Sequence, residues 1–174
     1  EALALIEDFP NPQDKVLAVG RPVGVGSSGT GAVDLLLMSA SGTATPLSTL
    51  TSDGVISLSN NDRFGQAIAS LGDMDGDGRI EIAVGASGAT LSTGEVWIID
   101  LTPGTGLPHS AVTIDATDFP ANTLATTDEF GAAIAAIGDW NEDTVPDLAV
   151  GAPGDDDGGF NRGAIYILYL NALS

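Results

Sequence analysis

Residues 72–87 read GDMDGDGRIEIAVGAS. Asp73, Asp75 and Asp77 alternate, Glu81 follows four positions later, and an apolar run closes the stretch. An EF-hand loop would need a bidentate Glu at its twelfth position and helices on both flanks. Counted from Asp73 the twelfth position is Val84, so this loop leads into something other than an EF-hand helix. Four acids between positions 73 and 81 repel one another strongly unless a hard cation accepts their oxygens. Alternate spacing lets a curled loop aim every second side chain inward, and Gly76 and Gly78 relieve the backbone where it must curl. Oxygen donors without His or Cys disfavour zinc and copper. An irregular shell of about 6 to 8 oxygens suits calcium better than magnesium. A second stretch, GDWNEDTVPDLAVGAP at 138–153, repeats the spacing with Asp139, Asn141, Asp143 and Asp147. There Thr144 stands where the first loop has a glycine, and Pro146 stiffens the turn.

These loops sit inside a larger internal repeat. DRFGQAIASLGDMDGDGRIEIAVGAS lies parallel to DEFGAAIAAIGDWNEDTVPDLAVGAP, so that Phe64-Gly65 maps to Phe130-Gly131 and Gly85 to Gly151, 66 positions apart each time. One further step back reaches Gly20 in KVLAVGRP, with EALALIED aligned on QAIASLGD and AAIAAIGD. Each unit orders its parts alike: a short apolar strand, the acidic loop, a strand ending in Ala-Val-Gly, a glycine-containing turn and a third strand. The third strands are predicted at 32–38 (AVDLLLM), 95–101 (EVWIIDL) and 164–170 (AIYILYL). Fourth strands are predicted at 55–58 (VISL) and 111–115 (AVTID). The strands are nearly continuous apolar runs, as expected where both faces of a sheet are covered. A small sheet that cannot bury both faces alone stacks on copies of itself, and radial repetition of four-stranded sheets gives a β-propeller.

Composition agrees with an all-β chain. The 174 residues are 43% hydrophobic, with 23 glycines, which argues against disorder and for strands separated by tight turns. The 24 acids against 5 bases give a formal charge of −19, a surface that repels phosphate backbones and anionic membranes. Nucleic acid is therefore excluded as a partner class. There is no cysteine, so neither a disulfide framework nor thiolate chemistry is available, and a metal is the alternative brace for a small core. No apolar run approaches the roughly 20 residues of a membrane-spanning helix.

The Phe-Gly at 64–65 and 130–131, the Gly-Ala-Pro at 151–153 and the acidic loop between them resemble the FG-GAP repeat of integrin alpha-subunit propellers and bacterial surface proteins. The second unit departs from the pattern with Gly85-Ala86-Ser87. The first departs with Gly20-Arg21-Pro22 and an expected start after its Phe-Gly. The resemblance implies blades of a seven-bladed ring with calcium loops near one rim. The predicted units are 1–63, a degenerate first blade, 64–129, a second blade with a calcium loop, and 130–174, a third, incomplete blade with a calcium loop. Fewer than three full blades cannot close a ring, since closed propellers have about 4 to 8. Carried over from the family, loop positions 1, 3, 5 and 9 supply side-chain oxygens and position 7 a carbonyl. The implied ligands are Asp73, Asp75, Asp77, Glu81 and the Arg79 carbonyl, then Asp139, Asn141, Asp143, Asp147 and the Val145 carbonyl. In the first unit the same positions hold Asp8, Pro10, Pro12, Asp14 and Val16, which cannot cage an ion.

Other features carry less chemistry. GVGSSG at 24–29 matches G-x-G-x-x-G but precedes a predicted strand, so it reads as a hairpin turn and not a dinucleotide site. His109, the single histidine, is expected in a loop without a Gly-x-Ser-x-Gly elbow, which argues against a nucleophilic triad. Asp155, Asp156 and Asp157 read as a solvated tip, and Trp97, Trp140 and Tyr166 as packing residues. The expected protein is a calcium-stabilised, non-catalytic module outside the cytoplasm, serving adhesion or assembly. Its partners would be another protein or neighbouring copies of itself completing a fibre or ring. A glycan-binding or enzyme-accessory role is the alternative.

Overall fold

The computed structural model describes residues 2–7, 9, 15–22, 29–159 and 162–171. It is all-β, with three antiparallel sheets of four, four and three strands. The first holds β1 (Leu3–Glu7), β2 (Lys15–Arg21), β3 (Ala32–Met38) and β4 (Ala44–Leu50), in that order. The second holds β5 (Phe64–Gly72), β6 (Ile80–Ala86), β7 (Glu95–Leu101) and β8 (Pro108–Ile114). The third holds β9 (Ala133–Gly138), β10 (Asp147–Ala152) and β11 (Ala164–Leu168). Every pair is a neighbour in sequence, so each sheet is an up-and-down meander. Among the described residues no helix is long and apolar enough to cross a membrane.

The sheets stack, and the cores lie between them. One core joins Ile6, Val33 and Leu35 of the first sheet to Phe64, Ile82, Val84, Trp97 and Ile99 of the second. The other joins Ala83, Val96 and Ile98 of the second sheet to Leu148 and Val150 of the third and to Phe130, which precedes it. Strand β7 shows why its sequence lacks alternation: Trp97, Ile99 and Leu101 face the first sheet while Val96 and Ile98 face the third. A strand apolar on both faces is the signature of a middle layer. The architecture is that of a partial propeller, with the third sheet short of a fourth strand among the described residues.

The closest approach between sheets is made by glycines. A Cβ on Gly85 would stand 2.0 Å from the carbonyl oxygen of Gly131, and one on Gly20 would stand 2.0 Å from that of Gly65. Gly65 and Gly131 have φ of +88° and +87°, a left-handed conformation that glycine alone adopts without strain. Each preceding phenylalanine is fully buried. Phe64 N–H donates to the Thr30 carbonyl at 3.0 Å and Phe130 N–H to that of Thr93 at 2.9 Å. Ring edges then meet ring faces, Phe64 with Trp97 at 6.5 Å and Phe130 with Tyr166 at 5.5 Å.

Four sequence expectations are corrected. The fourth strand of the first sheet is Ala44–Leu50 and not 55–58. Val55 and Ile56 instead donate their N–H groups to Asp53, which closes a turn that buries Ile56. Pro46 and the Ser/Thr-rich composition disguised β4, yet an edge strand with a register shift beside Leu36 tolerates a proline. His109 lies within β8 and not in a loop, and the third strand of the last unit ends at Leu168. Trp140 is 68% exposed and packs no core. The first unit's Asp8, Pro10, Pro12 and Asp14, and the 24–29 motif apart from Gly29, lie outside the described residues.

Gly85→Ala is expected to lower the melting temperature by about 5 °C or more, because overpacking costs about 1–3 kcal/mol and each kcal/mol moves a chain of this size by about 2–4 °C. Gly151→Ala is expected to stay within about 2 °C of the unmodified chain. Its new methyl would first meet Ala133 Cβ at an ordinary 3.4 Å. Calorimetric melting of both variants checks the contrast; equal shifts would remove the glycine contact from its place between the sheets.

Candidate metal centre

The second sheet's acidic loop is the turn from β5 to β6, and the third sheet's is the turn from β9 to β10. Each is built on its own carboxylates. Asp73 accepts N–H bonds from Gly76 at 2.7 Å and Gly78 at 3.0 Å, while Asp139 accepts from Asp143 at 3.0 Å and Thr144 at 2.8 Å. Position 3 accepts from position 5 in both loops, Asp75 from Asp77 N–H and Asn141 from Asp143 N–H, each at 3.1 Å. Position 5 accepts from position 7, Asp77 from Arg79 N–H at 2.8 Å and Asp143 from Val145 N–H at 2.9 Å. Position 9 reaches back to position 2, Glu81 accepting from Met74 N–H at 2.7 Å and Asp147 from Trp140 N–H at 2.9 Å. One backbone curl is thus drawn twice.

The curl requires left-handed residues at positions 4 and 6. The first loop places Gly76 and Gly78 there, with φ of +78° and +87°. The second places Glu142 and Thr144 there, with φ of +65° and +78°. Non-glycine residues in this region store about 1 kcal/mol or more each, so the second loop is the more strained. Its side-chain network holds it nonetheless.

Among the described residues, three acids converge at Asp73, Asp75 and Glu81, whose carboxylate oxygens lie within 4.8 Å of one another. Glu81 is 1% exposed on β6. Burial pushes its carboxyl up to about 7, the Met74 N–H opposes that shift, and the charges of Asp100, Asp75 and Asp73 add to it. An all-oxygen set around a buried acid that resists carrying charge fits a hard divalent cation. Asp77 stands outside the trio, and its second oxygen pairs with the Arg79 guanidinium. In the other loop Asn141 donates its amide to Asp143 Oδ2 at 2.9 Å. Asp147, fully buried, gives its remaining oxygen to Leu170 N–H at 3.1 Å. Asp139, Asn141, Asp143 and Asp147 therefore share the first loop's scaffold, with their oxygens more fully engaged by the protein itself.

The sequence reading missed the roles of two acids, one beside the first loop and one beyond the far end of β10. Asp100, on β7, is the ladder partner of Glu81, and its Oδ1 is buried with no hydrogen-bond partner. Burial raises its carboxyl above the ordinary range, with Arg79 opposing and Asp77 adding. The available signal was an acid inside the apolar run VWIIDL. Asp155 is 3% exposed and accepts from Tyr166 Oη, whereas Asp156 and Asp157 are exposed. The 155–157 triplet is thus a solvated tip at two of its three positions only.

Beside the first loop, a groove of about 750 Å³ opens between β8 and β11, lined by Met74, Ile98, Val112, Ile114, Ile167 and Tyr169. Of the first acidic loop only Met74 reaches it, and the loop's carboxylates and His109 do not line it.

The chain resembles known proteins over these same segments. The FG-GAP repeat model matches residues 64–99 and 130–168. A 40-residue stretch is 50% identical to integrin alpha-X of Mus musculus, covering 23% of this chain and 3% of that protein. The chain thus spans only a small part of the length of this curated relative. With the Phe-Gly, the acidic curl and the Gly-Ala turn each placed twice in the same order on successive sheets, residues 64–99 and 130–168 are FG-GAP repeats, blades of a partial β-propeller.

Proposed function

We propose that this chain is a calcium-braced, non-catalytic module that works outside the cytoplasm in adhesion or assembly. The convergence of Asp73, Asp75 and Glu81 carries the calcium reading. In the first loop the ion would be held by Asp73, Asp75, Asp77, Glu81 and the Arg79 carbonyl. In the second it would be held by Asp139, Asn141, Asp143, Asp147 and the Val145 carbonyl. A bound ion supplies positive charge that lets the carboxylates share one small volume. The chain's own contribution is the curl, which orients those carboxylates and ties the end of β5 to the start of β6. Extracellular calcium modules bind at about 0.1–1 mM, an affinity that is useful only where calcium is abundant. The FG-GAP repeats and the likeness to an integrin alpha chain support a protein partner and a surface location. Glycan binding and an enzyme accessory role are the alternatives; the grouped aromatics Phe119, Phe130 and Tyr166 pack edge to face on one another and on a core.

A second reading, assembly with neighbouring copies, is favoured by the two outer faces of the stack. Val33 and Leu35 on β3, and Val96 and Ile98 on β7, are buried by the next sheet. The corresponding residues of β11 are Ile165, 75% exposed, and Ile167, 45% exposed. At the opposite end Leu3 is 65% exposed, whereas its counterpart Ile68 packs on the sheet before it. Two apolar faces of repeated design at opposite ends fit a head-to-tail contact between copies. The occupant of the β11 face in this reading is therefore the β1 face of a second copy.

Calcium at about tenfold above its dissociation constant is expected to add about 1.4 kcal/mol per occupied site. That corresponds to a rise in melting temperature of about 3–5 °C over the chelator-treated protein. Asp75→Ala should remove the first loop's share of that rise. A melting temperature indifferent to calcium would sink the proposal. For assembly, light scattering should give a mass above the 17.5 kDa of one chain, reduced by Leu3→Glu and by Ile165→Glu alike. A monomer unaffected by either substitution would defeat it.

A further inference from the structure

The Arg79 guanidinium lies between two carboxylates. It pairs with Asp77 Oδ2, and the same Nη1 is 3.7 Å from Asp100 Oδ2. Asp100 is 6% exposed, and its other oxygen is buried without a hydrogen-bond partner. Ser110 Oγ donates to its Oδ2 at 3.4 Å, and His109 is near enough to oppose the rise of its carboxyl. A buried carboxylate with an unmet oxygen has a place for a donor, and a guanidinium offers five N–H groups in a planar fork. Asp100 therefore has capacity for Arg79 that the present pairing leaves unused. Asp77, for its part, is not among the converging Asp73, Asp75 and Glu81, and its Oδ2 is the oxygen paired with the same guanidinium.

We propose that Asp100 is the alternative seat of the Arg79 side chain. When Asp73, Asp75 and Glu81 take a divalent cation, the guanidinium passes from Asp77 to Asp100, and the freed Asp77 carboxylate turns to the ion. Asp100 acts as a positioning residue that sets the affinity of the first loop without touching the ion. No bond is made or broken in the exchange; one ion pair is replaced by another, and the charge Asp77 loses from Arg79 it regains from the cation. The inference rests on the calcium reading above and assigns a role to a residue outside its ligand set.

The third sheet supplies an internal comparison. Val145 occupies the position of Arg79, and Tyr169 that of Asp100, so the two members of the pair are absent together. With no arginine present, Asp143 Oδ2 accepts instead from the neutral amide of Asn141. An acid buried beside other acids is costly, and its occurrence only where the arginine occurs is what a shuttle partner requires.

The test is a double-mutant cycle on calcium affinity, measured by titration calorimetry in an Asp139→Ala background so that only the first loop reports. Arg79→Gln is expected to tighten binding about fivefold. Asp100→Asn is expected to weaken it about tenfold in the parent and less than about twofold once Arg79 is already Gln, because the two residues act as a unit. An equal penalty in both backgrounds would mean that Asp100 acts through its charge alone and would overturn the inference. If Asp100→Asn does not fold, NMR of the Arg79 guanidinium in the unmodified chain decides. A shift of its side-chain resonances on calcium saturation is expected, and unchanged resonances at saturation overturn the proposal. Absence of any calcium heat at this loop, or heat that survives Asp75→Ala, would instead fell the calcium reading itself, a result separable from the other two.

Discussion

The stack depends on backbone meeting backbone. Gly20 and Gly85 lie one residue before the ends of β2 and β6, where the next unit's Phe-Gly enters, and no side chain fits between the two main chains. The same crowding recurs around each entry. A Cβ on Gly31 or Gly94 would meet the carbonyl of Phe64 or Phe130 at 2.2 or 2.0 Å, and one on Gly88 or Gly154 would meet that of Asn61 or Thr127 at 1.8 or 1.9 Å. The phenylalanine fills the space beneath while the glycine lets the chain turn over it. Interiors packed at this density do not deform gradually, so the contact fixes both the spacing and the register of adjacent sheets. Because the acidic loop is the turn between the first two strands of a unit, that register also fixes where each loop lies.

The large negative charge is distributed by this geometry. Asp62 and Asp128, each just before a Phe-Gly, accept backbone N–H groups from Ser59 and Ala125 and hold the entry turn in shape. Gly88 and Gly154 then donate to the carbonyls of those aspartates, at 2.9 and 3.0 Å. Acids thus close the turn that places the phenylalanine, and other acids close the loop at the end of the same strand. A carboxylate that accepts two or three N–H bonds is tolerated where a bare one is not. Burial is the chief reason that Glu81 and Asp100, partners across the ladder, resist ionisation, and neighbouring charges add to it, Asp100, Asp75 and Asp73 on Glu81 and Asp77 on Asp100.

The three-unit repeat, the third strands apart from the end of the last, the Phe-Gly pairs and the positions of the acidic loops could be read from the sequence, because each is a local pattern of residue types at fixed spacing. What could not be read was set by tertiary position. The strand at 44–50 looks like a loop because an edge strand need not be apolar on both faces and can carry Pro46. The stretch at 55–58 looks like a strand because Ile56 is buried, though by a turn on Asp53. Trp140 is large and aromatic, and its counterpart Met74 at position 2 of the first loop is buried in a core, yet Trp140 itself is left in solvent. Asp100 was hidden because its meaning lies in its cross-strand partner. Asp155 was hidden because its partner, Tyr166, replaces the tryptophan of the preceding unit while Asp155 itself replaces Ala89. The exchange of an apolar pair for a hydrogen-bonded one is visible only once both are known to touch.

The two loops answer the same electrostatic problem differently, and the difference follows from a few substitutions. In the first, acids fill all four side-chain positions, the backbone curls on glycine without strain, and Glu81 uses one oxygen on a backbone N–H. Its charge is left to be balanced by a cation, whether an ion or the guanidinium of Arg79. In the second, Asn141 removes one charge, Asp147 gives both oxygens to backbone donors, and the strain of Glu142 and Thr144 is carried by bonds from Asp139 and Asp143 to the main chain. A loop whose carboxylates are already satisfied by its own N–H groups gains less from an added ion than one whose carboxylates are not. The repeated curl therefore does not imply equal dependence on metal, and the loop that lacks an arginine is also the one that least needs a cation to hold its shape.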